Sequence, residues 1–125
     1  MHTKIIQSAN APAPIGPYNQ AIAANGMLYI SGQIALVPGE DTLIQDSLEA
    51  ETTQVMNNLQ AILTEAGISF EHVVKTTIFL NDMNHFAAVN TVYATYFSAH
   101  FPARETVAVL GLPRGVRVEI SMMAV

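Results

Sequence analysis

Five side chains in this sequence are cationic (Lys4, Lys75, Arg104, Arg114 and Arg117), and Arg104 has the most unusual setting, directly after Phe101-Pro102-Ala103 at the start of an apolar stretch. Surface filler is a poor explanation for an Arg there. Its planar guanidinium can hold a carboxylate through two parallel hydrogen bonds. Further on, Glu119 stands in the segment Arg117-Val118-Glu119-Ile120, and Glu is a common general acid or base. One group that fixes a carboxylate and one that moves a proton suggest a site for a small organic acid. Structural readings compete with both. Arg104 could be held in an ion pair by Glu105 or by a carboxylate of another subunit, and Glu119 could pair with Arg117 across two positions of one strand face.

Other chemistries find less support. The chain has no cysteine, which excludes a disulfide framework, a thiolate zinc site and a Cys nucleophile, and fits a reducing compartment. His2, His72, His85 and His100 show no metal-ligand spacing, so solvated or core roles are expected for them, and no metal or cofactor is called for. The glycines fall at turns and caps, with no phosphate-cradling loop; Gly32, inside a strand, suggests close backbone approach. The six Met residues read as adaptable core and interface filler.

Ten carboxylates against five cations give a net charge of −5. A nucleic-acid surface needs clustered Lys and Arg, so nucleic acid is an improbable partner. Charged residues make up 12% of the chain, about half the ~25% of an average soluble domain. Such a shortage fits a surface partly buried against copies of the same chain. The first eleven residues carry no apolar run of signal-peptide length, and no segment approaches the roughly 20 apolar residues of a bilayer span. A cytoplasmic protein is expected, with residues 1–125 forming one domain.

The elements that must position these residues alternate along the chain. Lys4 to Gln7 is a possible short strand, followed by the Pro-rich run Ala11-Pro12-Ala13-Pro14-Ile15-Gly16-Pro17, too donor-poor to extend a ladder. Tyr18–Ala24 and Met27–Ile34 read as strands joined by Asn25-Gly26, a strong hairpin signal. Asp46 with Glu49 resembles a capping box, opening a helix whose Leu48, Val55, Leu59, Ile62, Leu63 and Ala66 recur at helical spacing up to Gly67. Val73–Leu80 is a strand. Asn81 or Asp82 caps a second helix with the stripe Phe86, Val89, Tyr93 and Phe97, and Glu105–Leu110 and Val116–Ala124 are closing strands. The order ββαβαββ predicts an α+β fold in which one mixed sheet carries two helices on a single face. Strand alternation sets Met27, Tyr29, Ser31 and Gln33 on one face of their strand. It also sets Arg117, Glu119, Ser121 and Met123 on the opposite face from Val118, Ile120 and Met122.

Six short segments lie in collinear register across the chain: Ile15-Gly16-Pro17-Tyr18, Ser31-Gly32-Gln33-Ile34, Val74-Lys75-Thr76-Thr77, Asn90 with Tyr93, Pro102-Ala103-Arg104, and Val118-Glu119-Ile120. In these the sequence resembles the reactive-intermediate (imine/enamine) deaminase family, also called the liver perchloric-acid-soluble protein or L-PSP endoribonuclease family. The resemblance implies a homotrimer of chorismate-mutase-like subunits with clefts at the subunit interfaces. It implies cofactor-free hydrolysis of 2-imino and 2-enamino acids, such as 2-aminoacrylate, to 2-keto acids and ammonia. Carried over by position, Arg104 binds the substrate carboxylate and Glu119 orients or activates water. Tyr18, Ser31 and Asn90 line the cleft, and the backbone around Thr106 contacts the substrate.

Two positions depart from the family pattern. Many members have Cys where this chain has Thr106, and a small residue where it has Glu105. A main-chain role tolerates Thr, and Glu105 alternates to the opposite face from Arg104. An apolar interface would raise the pKa of Glu119, whereas a nearby Arg would lower it. Two other classes compete with hydrolysis: a ribonuclease or translation inhibitor, which would want a basic groove, and a non-catalytic metabolite sensor using the same cleft.

Overall fold

The computed structural model describes residues 2–125. Its strands are β1 (Thr3–Ile6), β2 (Ala21–Ala24), β3 (Met27–Gln33), β4 (Val73–Leu80), β5 (Ala103–Ala108) and β6 (Val118–Ala124), and its α-helices are α1 (Leu48–Glu65) and α2 (Phe86–Ala94). Asn25 and Gly26 take φ of +52° and +78°, as a two-residue type I′ turn requires. The hairpin follows, with Ala24 opposite Met27. The six strands form one mixed sheet in the order β1-β2-β3-β6-β4-β5. Only β4 and β5 run parallel, because α2 crosses back between them.

Both helices cover one face. Val55, Met56, Leu59, Ile62 and Leu63 of α1 are fully buried with Ile78, Leu80, Val118 and Ile120 of the sheet, and full burial of each such side chain contributes about 1.5–3 kcal/mol. The other face is uncovered, and its alternate positions Tyr29, Thr77, Glu105, Val107, Ser121 and Met123 are half-buried or exposed.

Several expected boundaries shift. β1 pairs with β2, so the order is βββαβαββ instead of ββαβαββ. The α1 cap is Ser47, whose Oγ accepts from Ala50 N at 3.0 Å, rather than Asp46, because the helix starts one residue later. Asp82 caps a short 3₁₀ turn, Met83–His85, that leads into α2. Tyr18 lies in the loop before β2, where its N–H donates to Gly16 O at 2.8 Å, a local turn that keeps it out of the ladder. β5 begins at Ala103 and ends at Ala108, its register set by pairing with Lys75 through Leu80. In β3 one extra residue lies between Ile30 and Gln33. This bulge moves Gln33 to the buried helix side, away from the face of Tyr29.

Candidate active site

Arg104 lies on the edge strand β5, opposite Thr76 of β4, and points toward α2. Phe86, Asn90 and Tyr93 follow one another at helical spacing, so they share a face, and all three converge on the guanidinium. Nη1 donates to Asn90 Oδ1 at 2.6 Å. The guanidinium carbon stands 5.1 Å from the Tyr93 ring centre and 5.6 Å from that of Phe86, within cation–π range. Tyr93 is itself anchored by donating to Thr76 Oγ1 at 3.0 Å, and burial raises the pKa of its phenol against the lowering effects of that bond and of Arg104. Asn90 interrupts the apolar stripe of α2, and its amide finds its partner in Arg104.

The three arginines differ in what neutralises them. Arg114 meets Asp41 at 2.7 Å and Arg117 meets Glu51 at 2.6 Å. Arg104 has no carboxylate partner among the described residues. An amide and two rings leave most of its five N–H donors unused. A cavity of about 300 Å³ opens beside it, lined by Asn90, Tyr93, Ala94, Phe101, Pro102 and Arg104.

Glu119 sits on the uncovered face. Its strand neighbours Val118 and Ile120 are buried on the helix side, and it lies opposite Phe79 of β4. Its carboxyl rests on the backbone of Gly32: a Cβ there would collide with Oε2 and come within 2.8 Å of Cδ. That explains a glycine within β3. Burial raises the pKa of Glu119, and among the described residues no hydrogen bond or nearby Arg offsets it.

Arg104 and Glu119 therefore occupy opposite faces of one sheet. Asn90 and Thr106 lie with Arg104; Thr106 faces the core side beside Ile78, and its Oγ1 is buried without a partner. Neither Tyr18, Ser31 nor Glu119 borders the Arg104 cavity. Tyr18 and Gly32 line a separate cleft of about 30 Å³. There the Tyr18 hydroxyl accepts from Ile15 N at 3.3 Å; Ser31 does not line this cleft, and its Oγ donates to Asn19 O at 2.6 Å.

The competing ion pairs are resolved by geometry. Arg117 is unavailable to Glu119: Glu51, fully buried, accepts from both its Nε and its backbone N–H, the latter at 2.9 Å. Glu105 turns away from Arg104 and is held by Thr77 Oγ1 at 2.8 Å and Lys75 Nζ at 3.3 Å. Those contacts, Thr77 first, pull its pKa down. Among the described residues, no group of three or more His, Asp or Glu side chains is arranged to hold a metal ion, and no helix is long and apolar enough to cross a membrane.

A mixed sheet with two helices on one face, and an Arg without a carboxylate partner beside a half-apolar cavity, define a small α+β domain. Residues 8–125 match the family model described as Endoribonuclease L-PSP, and the chain belongs to that family. It is 57% identical over its whole length to a RutC family protein of Synechocystis, covering 98% of that protein. It is 48% identical to 2-iminobutanoate/2-iminopropanoate deaminase of Mus musculus, covering 98% of this chain and 90% of the mouse protein. The crystal structure of E. coli TdcF with bound serine superposes with a TM-score of 0.93 at 36% identity, covering 98% of each chain.

Proposed function

We propose that this protein hydrolyses 2-imino and 2-enamino acids, such as 2-aminoacrylate, to 2-keto acids and ammonia. The observation that carries the reading is Arg104: half-buried, held in place by Asn90, and left without a carboxylate partner while the other two arginines each have one. The deaminase name borne by the mouse relative agrees with a substrate of that charge.

In this reading Arg104 holds the substrate carboxylate. The enamine tautomerises to the imine, water adds to the electrophilic C2, and a proton passes to nitrogen. The C–N bond then breaks to leave the keto acid and ammonia. Glu119 takes a proton from the attacking water and returns one to the departing nitrogen. Burial raises its pKa, toward the range in which one group can serve as both base and acid, and no cofactor enters the sequence. Tyr18 and Ser31 belong to the Glu119 half of the cleft, and Asn90 and the Thr106 backbone to the Arg104 half. Since one chain holds the two halves on opposite faces, a complete cleft calls for Glu119 of one copy and Arg104 of another. The half-apolar uncovered face is the surface such copies would bury, and we assign the working assembly as a homotrimer.

A ribonuclease gains little support from the surface: three of the five cations, Lys75, Arg114 and Arg117, are paired with carboxylates, which argues against a basic groove. The test is to generate 2-aminoacrylate enzymatically and follow its loss with and without the protein, at a concentration where sedimentation reports the mass. Accelerated release of ammonia and pyruvate by a species of three chains is expected. A well-folded monomer, or decay at the spontaneous rate, would overturn the proposal.

A further inference from the structure

The cavity beside Arg104 is larger and more apolar than a three-carbon acid needs. At about 300 Å³ it equals roughly ten water molecules at about 30 Å³ each. 2-Aminoacrylate has only six non-hydrogen atoms, and bonded atoms pack more closely than waters. Room therefore remains, next to the atoms that Arg104 would hold, for a side chain of four carbons or more. The walls suit such a group: beyond Arg104 and Asn90 they are Tyr93, Ala94, Phe101 and Pro102.

These walls are fixed. Phe101 is 64% exposed, yet its ring is tied to the core through a run of aromatic contacts: tilted from Phe101 to Phe97 at 5.9 Å and from Phe97 to Tyr93 at 4.8 Å, and edge-on from Phe97 to the buried Phe70 at 5.5 Å. An exposed aromatic side chain anchored in this way, beside an unneutralised Arg, forms one wall of a subsite in the Arg104 half of the cleft. Ala94, on the last turn of α2, is the small residue that leaves the space open.

We infer that the cavity of Ala94, Phe101 and Pro102 is a side-chain subsite, and that it makes this protein selective for 2-imino acids bearing aliphatic side chains of four or more carbons over the three-carbon acid 2-iminopropanoate. The inference rests on Arg104 holding the substrate carboxylate, as proposed above. An apolar subsite discriminates by about tenfold or more for each methylene it seats.

The test compares 2-iminopropanoate and 4-methyl-2-iminopentanoate, generated in place by an amino-acid oxidase from alanine and leucine, in the parent and in Ala94→Leu and Phe101→Ala. The corresponding 2-oxo acids serve as calorimetric binding probes. The parent should favour the leucine-derived substrate in kcat/KM by at least about tenfold. Ala94→Leu, which fills the space, and Phe101→Ala, which removes the wall, should each bring the ratio close to one. Turnover without this preference, or a preference that both variants retain, overturns the subsite while the hydrolase reading stands. Absence of turnover together with selective binding of 4-methyl-2-oxopentanoate that Ala94→Leu abolishes supports the subsite and overturns the hydrolase reading. Neither turnover nor selective binding overturns both.

Discussion

Arg104 and Glu119 are finished to very different degrees. On the helix side, Arg104 is dressed by its own chain: α2 crosses back between β4 and β5 and lays Phe86, Asn90 and Tyr93 against it. On the other side no element crosses over the sheet, and Glu119 has Gly32 beneath it and no polar partner. The difference follows from topology. A parallel strand pair requires a crossover, which supplies a ready wall of side chains, whereas the antiparallel β3–β6–β4 run requires none. On the proposed reading, the carboxylate-binding half of the site is built within one chain, and the proton-carrying half is completed by a surface of another.

The largest effect is expected where the dressing is most complete. Arg104→Ala removes two charge-assisted hydrogen bonds worth about 1.5–3 kcal/mol each. Hydrolysis of 2-aminoacrylate should therefore fall by roughly 10²- to 10⁴-fold at one decade per ~1.4 kcal/mol. Among the described residues no carboxylate pairs with this Arg, so the melting temperature should fall only by the modest contribution of the Asn90 hydrogen bond and the two ring contacts. Arg104→Lys should recover only a small part, as an ammonium cannot reproduce the planar fork. Parental turnover by folded Arg104→Ala would remove the distinction between the two faces.

Glu119→Gln keeps shape and removes the proton, so turnover should drop by about 10²- to 10⁴-fold, the range for general acid–base catalysis, with the affinity for pyruvate nearly unchanged. Stability should move the other way. A carboxyl whose folded pKa is raised binds more protons folded than unfolded, so stability declines as pH rises from the ordinary Glu value through the raised one. The Gln variant escapes that decline. Thermal melts at acid and neutral pH should therefore show it matching the parent below the window and exceeding it above. An opposite trend would show that Glu119 has a stabilising cationic partner in the assembled protein.

Arg117→Ala sharpens the contrast from the structural side. It leaves the buried Glu51 carboxylate with only a backbone N–H, and breaking a buried pair costs about 3–5 kcal/mol. With Arg117 partly exposed, a loss near 3 kcal/mol in denaturant midpoints is expected. The smallest effect belongs to Glu105→Gln. Its contacts to Thr77 and Lys75 are solvent-exposed, so unfolding curves of variant and parent should nearly superimpose. A marked loss of assembly would instead place Glu105 in the subunit interface.

Much of this was legible in the sequence because it rests on local rules. Asn25-Gly26 specified a turn, the 3.6-residue period specified α1, and the alternation of Val118, Glu119 and Ile120 already set Glu119 apart from the core. What escaped depends on long-range register. That Arg104 and Glu119 face opposite ways follows from the parallel pairing of Thr76 with Arg104 and the antiparallel pairing of Phe79 with Glu119, which no local pattern encodes. The partners of Arg114 and Arg117 lie 73 and 66 residues away. The Ser47 cap was missed because Asp46 and Ser47 are both good caps and only the helix ladder chooses between them. Gly32 was singled out for close approach, but the carboxyl approaching it was not identifiable.

The bulge in β3 makes chain length, apart from composition, a determinant of the site. The strand uses three steps from Ile30 to Gln33 where β6 uses two from Met122 to Ile120. Deleting Gly32 would restore strict alternation with Gln33 still opposite Ile120, so the helix-side packing would have no reason to rearrange. The carboxyl of Glu119 would lose the bare Cα on which it rests. A one-codon deletion at this point is therefore a change that a screen for folded protein would pass and a screen for turnover would reject.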